Sequence, residues 1–235
     1  MGVKLVVFDM AGTTVEDEQN VAYALQQALS DYGFKVHLND INVVMGYAKP
    51  MAIRILLGQH LQEDPAITDK DTIELVHKRF VSIMKGFYQH STNTKAKAGA
   101  EQVFAALRKR GIKVAMDTGF SREIADAIFE KLGWVEGRDF DLSVTSDEVK
   151  NGRPYPDMIY RAMDTLGVHD INEVAKVGDT QSDLQEGNAA GCKYVIGITT
   201  GAYTAAELAK ERHTHLASNL AEVFDILTAS ELALT

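Results

Sequence analysis

Four short runs of apolar, largely β-branched residues punctuate the chain: KLVVFDM from residue 4, GIKVAMDTG around residue 113, VAKVGDT around residue 175 and KYVIGIT around residue 194. Each is apolar almost without interruption instead of alternating, as strands buried on both faces of a parallel sheet are. Between the last three runs the pattern takes on a helical period. SREIADAIFEKLG opens with a potential cap at Ser121 and stops at Gly133. YPDMIYRAMDTLG aligns Ile159, Met163 and Leu166 and stops at Gly167, and SDLQEGNAAG leads to Gly191. Glycine after a last helical turn readily takes the left-handed conformation that ends a helix. Helix, glycine and strand in repetition predict an α/β fold, a doubly wound, Rossmann-like parallel sheet.

Residues 15–94 break that rhythm. NVAYALQQALSDYGF, AKPMAIRILLGQHL and DTIELVHKRFVSIMKGFYQH are amphipathic at helical spacing, and no strand pattern separates them. AKAGAEQVFAALRKRG then resumes the earlier order. The expected organisation is an α/β core domain from residues 1–14 and 95–235, with an all-helical domain of residues 15–94 inserted after the first strand.

Composition narrows the partners. The 235 residues carry 24 Lys and Arg against 33 Asp and Glu, a net charge of -9. With no basic excess to neutralise a phosphate backbone, nucleic acid is excluded as the main partner. A small anionic substrate is compatible, because a local cation or metal can hold it. Cys192 is the sole cysteine, so no internal disulfide forms, and its place in AAGCKYVIGI reads as packing. His213 and His215 in ERHTHL read as a solvated loop before the last helix. The run MGVKLVVFDM is too short for a signal peptide and no later run reaches membrane-spanning length, so a cytoplasmic protein is expected.

Candidate chemistry gathers at the strand ends. Asp9 closes the first run, Thr118 follows Asp117 at the end of the second, and Asp179 closes the third in GDTQSD. Ligands of open parallel sheets bind beyond the carboxyl ends of the strands, so these residues are expected to converge. Asp9 and Asp179 are hard oxygen donors suited to Mg²⁺ beside a phosphate. Asp183, one helical turn past Asp179, belongs to the same edge, although both carboxylates also suit a helix start. In GRPYPDM, Arg153 precedes a helix whose first turn accepts Pro156; a cation there could orient a nucleophilic carboxylate and balance phosphoryl charge, the alternative being a solvated arginine.

This ordered set resembles the haloacid dehalogenase superfamily along the whole chain. Asp9 falls on the nucleophile motif, Thr118 on the second motif, Arg153 on the cation position, and Asp179 with Asp183 on the acidic fourth motif. The resemblance implies an α/β core with a helical cap, and Mg²⁺-dependent phosphoryl transfer through an aspartyl intermediate on Asp9. It also implies that the backbone carbonyl of Ala11 joins Asp9 and Asp179 at the metal.

Ala11 is the unusual residue. Ordinary phosphatases of this superfamily carry aspartate there to protonate the leaving alkoxide, help worth roughly 10²–10⁴-fold. FDMAGTTV, GRPYP, VGDTQSD and the cap segment MGYAK together resemble the phosphonoacetaldehyde hydrolase, or phosphonatase, branch. In that branch Lys49 would form a Schiff base with a substrate aldehyde, so that an enamine leaves and no proton from position 11 is needed. Met45, Gly119 and Asp183 would support the substrate. An unperturbed lysine is neutral in only roughly one molecule in 10³ at pH 7, so burial near a cation such as Arg153 is expected to lower its pKa. Alternatively, Lys49 only binds an anionic substrate group.

Three positions depart from the branch: Ala52 where it has histidine, Phe120 where it has tyrosine, and Gln19 where it has cysteine. The expected activity is cleavage of the C–P bond of a 2-oxoalkylphosphonate such as phosphonoacetaldehyde. The alternatives are a phosphatase for a small phosphate monoester and a non-catalytic binding protein, the latter disfavoured by Asp9, Thr118, Arg153 and Asp179 together. The resemblance further implies a homodimer through cap helices. Ile53, Leu56 and Leu57 fit either that interface or the core of the helical segment itself.

Overall fold

The computed structural model describes residues 2–60 and 70–232. Six parallel strands form one sheet: β1 (Leu5–Asp9), β2 (Lys113–Thr118), β3 (Leu142–Thr145), β4 (Val174–Gly178), β5 (Tyr194–Ile198) and β6 (His215–Ala217), in spatial order β3-β2-β1-β4-β5-β6. Four strands coincide with the four apolar runs. β3 is only LSVT, half polar, and β6 only three residues, too short to leave a pattern. His215 therefore begins an edge strand instead of lying in a loop, while the His213 Nδ1–H donates to the Glu211 carbonyl at 2.8 Å.

Both faces of the sheet are covered, which explains the unbroken apolarity of β1. Val6 and Phe8 point into a cluster with Phe104 of α5 (Ala100–Lys109), Ile128 of α6 (Arg122–Leu132) and Leu227 of α10 (Leu220–Leu232). Leu5 and Val7 point the other way, against Met158, Ile159 and Ala162 of α7 (Asp157–Leu166). Each such side chain contributes roughly 1.5–3 kcal/mol through burial. Gly133, Gly167 and Gly191 end α6, α7 and α8 (Gln181–Ala190) in the left-handed region, as the sequence pattern implied. Ser121 occupies the cap position of α6, but its hydroxyl makes no capping hydrogen bond.

Between β1 and α5 the described residues form α1 (Asn20–Ser30), α2 (Leu38–Val43), α3 (Lys49–His60) and α4 (Lys70–His90), with no strand. The expected helix AKPMAIRILLGQHL extends to Leu61, which lies outside the described residues. Ile53, Leu56 and Leu57 are fully buried in one cluster with Val76, Phe80 and Met84 of α4, so they are interior packing and not a free face. The segments leading into and out of these helices pair with each other, Glu16 N–H donating to the Lys95 carbonyl and Lys97 N–H to that of Thr14.

The chain runs from β1 outward to β2 and β3, then returns to β4 on the other side of β1. The β1–β4 crevice is thus the point where the connections diverge, the place where such sheets bind ligands.

Candidate active site

Asp9 ends β1 opposite Asp117 of β2, and Asp179 follows β4 directly, so register alone brings these carboxylates to one edge. The turn after Asp9 is tied down by Thr13, Thr14 and Val15 N–H groups donating to the Met10 carbonyl. Gly12 lies within it at φ 93°, and a Cβ there would overlap the Asp179 carboxylate. Only glycine permits both the conformation and the approach. Asp179 Oδ1 accepts the Thr13 hydroxyl at 2.8 Å, and Oδ2 accepts the Ala202 N–H at 2.6 Å.

Arg153, with no exposed surface, enters from the segment before α7. Its Nη1 reaches Asp9 Oδ1 at 2.7 Å and Asp183 Oδ1 at 2.9 Å, Nε reaches Glu186 Oε2 at 3.1 Å, and Nη2 contacts Asp117. Asp183 also forms a capping box with Thr180 at the start of α8, so the helix-start and site-edge readings hold together. Thr118 Oγ1 accepts the Phe120 N–H at 3.2 Å, holding the turn beyond β2.

The α2–α3 loop closes over these groups. A Cβ at Gly119 would lie 2.6 Å from the Tyr47 carbonyl oxygen, so the loop rests directly on the end of β2. Met45 is buried, and its carbonyl accepts the Ser182 hydroxyl at 3.4 Å. Asp9, Ala11, Met45, Lys49, Thr118, Gly119, Phe120 and Arg153 line one small, partly open space of about 20 Å³, enough for roughly one water. A larger groove of about 630 Å³ between α4 and α6 contains none of them.

Lys49 is the first residue of α3 and is 3% exposed. Its Nζ donates to the Tyr47 carbonyl at 3.2 Å and lies 5.4 Å from the Phe120 ring centre and 5.9 Å from that of Phe80. Burial, then the Arg153 charge, lowers its pKa to about 8, against the pull of Asp9, Asp17 and Asp183. The amine is then neutral in roughly one molecule in ten at pH 7. Burial, opposed by Arg153, raises Asp9 to about 6, leaving it mostly ionised at neutral pH.

The positions that depart from the resemblance are also resolved. Ala52 is fully buried, Phe120 covers the amine, and Gln19 takes φ 63° just before α1. Asp17, not Gln19, satisfies the start of that helix, accepting the Asn20 and Val21 N–H groups at 2.9 and 3.3 Å. Cys192 is half-buried, and burial pushes its thiol up to about 12, which removes it as a nucleophile.

Burial and the charges of Asp9 and Asp183 hold Asp179 well above the usual carboxylate range. Among the described residues no cation pairs with it, so this end of the cluster fits a divalent ion with oxygen preference. Asp9, Asp117 and Asp183 also offer carboxylate oxygens within 4.8 Å of one another, but Arg153 and Lys176 already sit against Asp117 and Asp183.

The sequence reading missed Lys176, Glu186 and the part played by Asp117. Lys176 Nζ, fully buried, meets Asp117 Oδ1, Glu186 Oε2 at 2.8 Å and Asp183 Oδ1 at 3.2 Å. The available signal was a lysine inside the otherwise apolar run VAKVG, since a buried charge requires partners. His77 and Tyr88 of α4 were missed too. Burial and then the Lys49 charge lower His77, while burial and the Asp17 and Asp9 charges push Tyr88 up.

Comparison with known proteins gives the family and the fold. The haloacid dehalogenase-like hydrolase family matches residues 3–191. A phosphonoacetaldehyde hydrolase of Bacillus cereus is 33% identical over 216 residues, covering 86% of this chain and 77% of that protein. A phosphonoacetaldehyde hydrolase-like protein from Oleispira antarctica superposes with a TM-score of 0.83 at 21% identity, over 100% of this chain and 94% of the other. A phosphoglycolate phosphatase-like structure from Lactobacillus delbrueckii gives 0.77 at 20% identity, over 97% and 99%. The last two likenesses concern the fold. The chain belongs to the haloacid dehalogenase-like hydrolases, with phosphonoacetaldehyde hydrolases among its relatives.

Proposed function

We propose that this hydrolase cleaves the C–P bond of a 2-oxoalkylphosphonate such as phosphonoacetaldehyde. The observation that carries the reading is a buried amine, Lys49, lowered to about 8, lining the same small space as Asp9 while Ala11 supplies no acid. The free amine adds to the carbonyl, and loss of water gives an iminium at Nζ. Asp9 then attacks phosphorus, the C–P electron pair moves into the iminium, and an enamine leaves. Water hydrolyses the aspartyl phosphate, and protonation and hydrolysis of the enamine release the aldehyde and restore Lys49.

Arg153 orients the Asp9 oxygen and balances phosphoryl charge. Phe80 and Phe120 keep the amine dry, and Thr118 and Gly119 shape the floor of the site. Mg²⁺ is the ion this donor set suits, with Asp9, Asp179 and the Ala11 carbonyl as its ligands, and when bound it supplies charge neutralisation at the transferring phosphoryl group. We read residues 15–94 as the cap and residues 1–14 and 95–235 as the core.

The test is turnover of phosphonoacetaldehyde to phosphate and acetaldehyde beside a panel of phosphate monoesters. The reading requires the phosphonate to be the better substrate by kcat/KM, and rapid monoester turnover without C–P cleavage contradicts it. Loss of all turnover in Asp9→Asn separates either enzyme from a binding protein.

A further inference from the structure

Arg153 and Lys176 share acceptors in an uneven way. Asp117 Oδ1 and Glu186 Oε2 each meet both cations, whereas Asp117 Oδ2 and Glu186 Oε1 are buried with no hydrogen-bond donor at all. Both residues are fully buried, and their carboxyl groups converge on the same two cations, each placing one oxygen against Lys176 Nζ and the Arg153 guanidinium. An ionised carboxylate oxygen without a donor in a dry interior is costly, and here there are two, on carboxyl groups that share the same cations. One proton resolves both.

We propose that Glu186 is held as a neutral carboxylic acid whose Oε1–H donates to Asp117 Oδ2, and that this pair is the positioning element for Arg153. The guanidinium is gripped at Nε by Glu186 and at Nη2 by Asp117, which leaves Nη1 directed at Asp9 and Asp183. A neutral Glu186 also removes one of four anions drawing on two cations, so more of the arginine charge is available to Asp9 and the phosphoryl group. The groups facing Glu186 are Arg153 before α7, Lys176 of β4, Asp117 of β2, Asp183 of its own helix and Cys192 after α8. Burial and the Asp117 charge push Glu186 well above the usual carboxylate range. Arg153 and Lys176, outweighing burial, hold Asp117 below it. The assignment does not depend on which phosphorus compound is the substrate.

Infrared difference spectroscopy at pH 7, wild type against Glu186→Gln, tests it. A protonated-carboxyl band that shifts in D₂O and disappears in the variant is expected. Glutamine keeps a donor toward Asp117 and an acceptor toward the cations, so Glu186→Gln binds inorganic phosphate within roughly threefold of wild type, while Glu186→Ala weakens it at least ~10-fold. Wild type must retain a proton that the unfolded chain releases above its ordinary pKa of 4.5, so its Tm falls relative to Glu186→Gln as pH rises from 5 to 9. Absence of the band, or a Glu186→Gln variant as impaired as Glu186→Ala at every pH, overturns the proposal. If the variants do not fold, ¹³C-glutamate labelling of the wild type decides whether such a band belongs to a glutamate.

Discussion

Lys49 and Lys176 are both withdrawn from water, at 3% and 0% exposure, yet their amines are driven in opposite directions. Lys176 meets three carboxylates, which outweigh burial and hold it above the ordinary lysine range. Lys49 has two aromatic rings, one carbonyl and the first turn of a helix for company, with no salt bridge among the described residues. A helix N-terminus disfavours a cation, so it adds to burial and the Arg153 charge in favouring the neutral amine, against the weaker pull of the two rings, the carbonyl and more distant carboxylates. Burial alone therefore does not make a lysine nucleophilic. Denying it an anion does.

The comparison breaks most visibly at Lys176. Lys176→Met leaves Asp117 and Glu186 with one cation, and a loss of about 3–5 kcal/mol in denaturant unfolding is expected. Lys49→Met should do the reverse, abolishing turnover while stabilising the fold by about 3 kcal/mol at pH 7. The unfolded lysine holds its proton up to about 10.5 and the folded one only to about 8, so the folded wild type is penalised below that window. The gain in Lys49→Met therefore shrinks as pH rises from 8 to 10.5, and a constant or rising gain contradicts the depressed amine.

Two changes sharpen the functional half. Ala11→Asp restores the missing acid and should raise phosphate monoester turnover on the order of 10²-fold, with C–P cleavage not improved. The pH profile of kcat/KM should rise through about 6 as Asp9 ionises and again toward about 8 as Lys49 loses its proton. The smallest effect belongs to Phe120→Leu. Removing one ring from the ammonium withdraws roughly 0.5–1 kcal/mol from the charged form, so the upper limb of that profile moves down by less than one pH unit.

Much of this arrangement was legible from the chain. Asp9, Thr118 and Asp179 stand at the ends of runs whose unbroken apolarity already marks parallel strands, and Gly133, Gly167 and Gly191 mark the helix ends. β3 and β6 were not legible because edge strands of four and three residues, half of β3 polar, are too short to set a pattern. The Lys176 network was hidden for another reason. Its partner Asp117 is far away in sequence, and only the pairing of β1 with both β2 and β4 brings the two strands close. Ala52 and Phe120 were recognisable as departures, but only the packing of α3 on α4 reveals that Phe80 joins Phe120 around the amine.

The most direct test of the account is borohydride reduction of the enzyme in the presence of phosphonoacetaldehyde, followed by peptide mass analysis. The account predicts a reduced carbonyl adduct on Lys49, absent without the phosphonate and absent from Lys176. An enzyme that turns over phosphate monoesters rapidly while forming no adduct at Lys49 would contradict it.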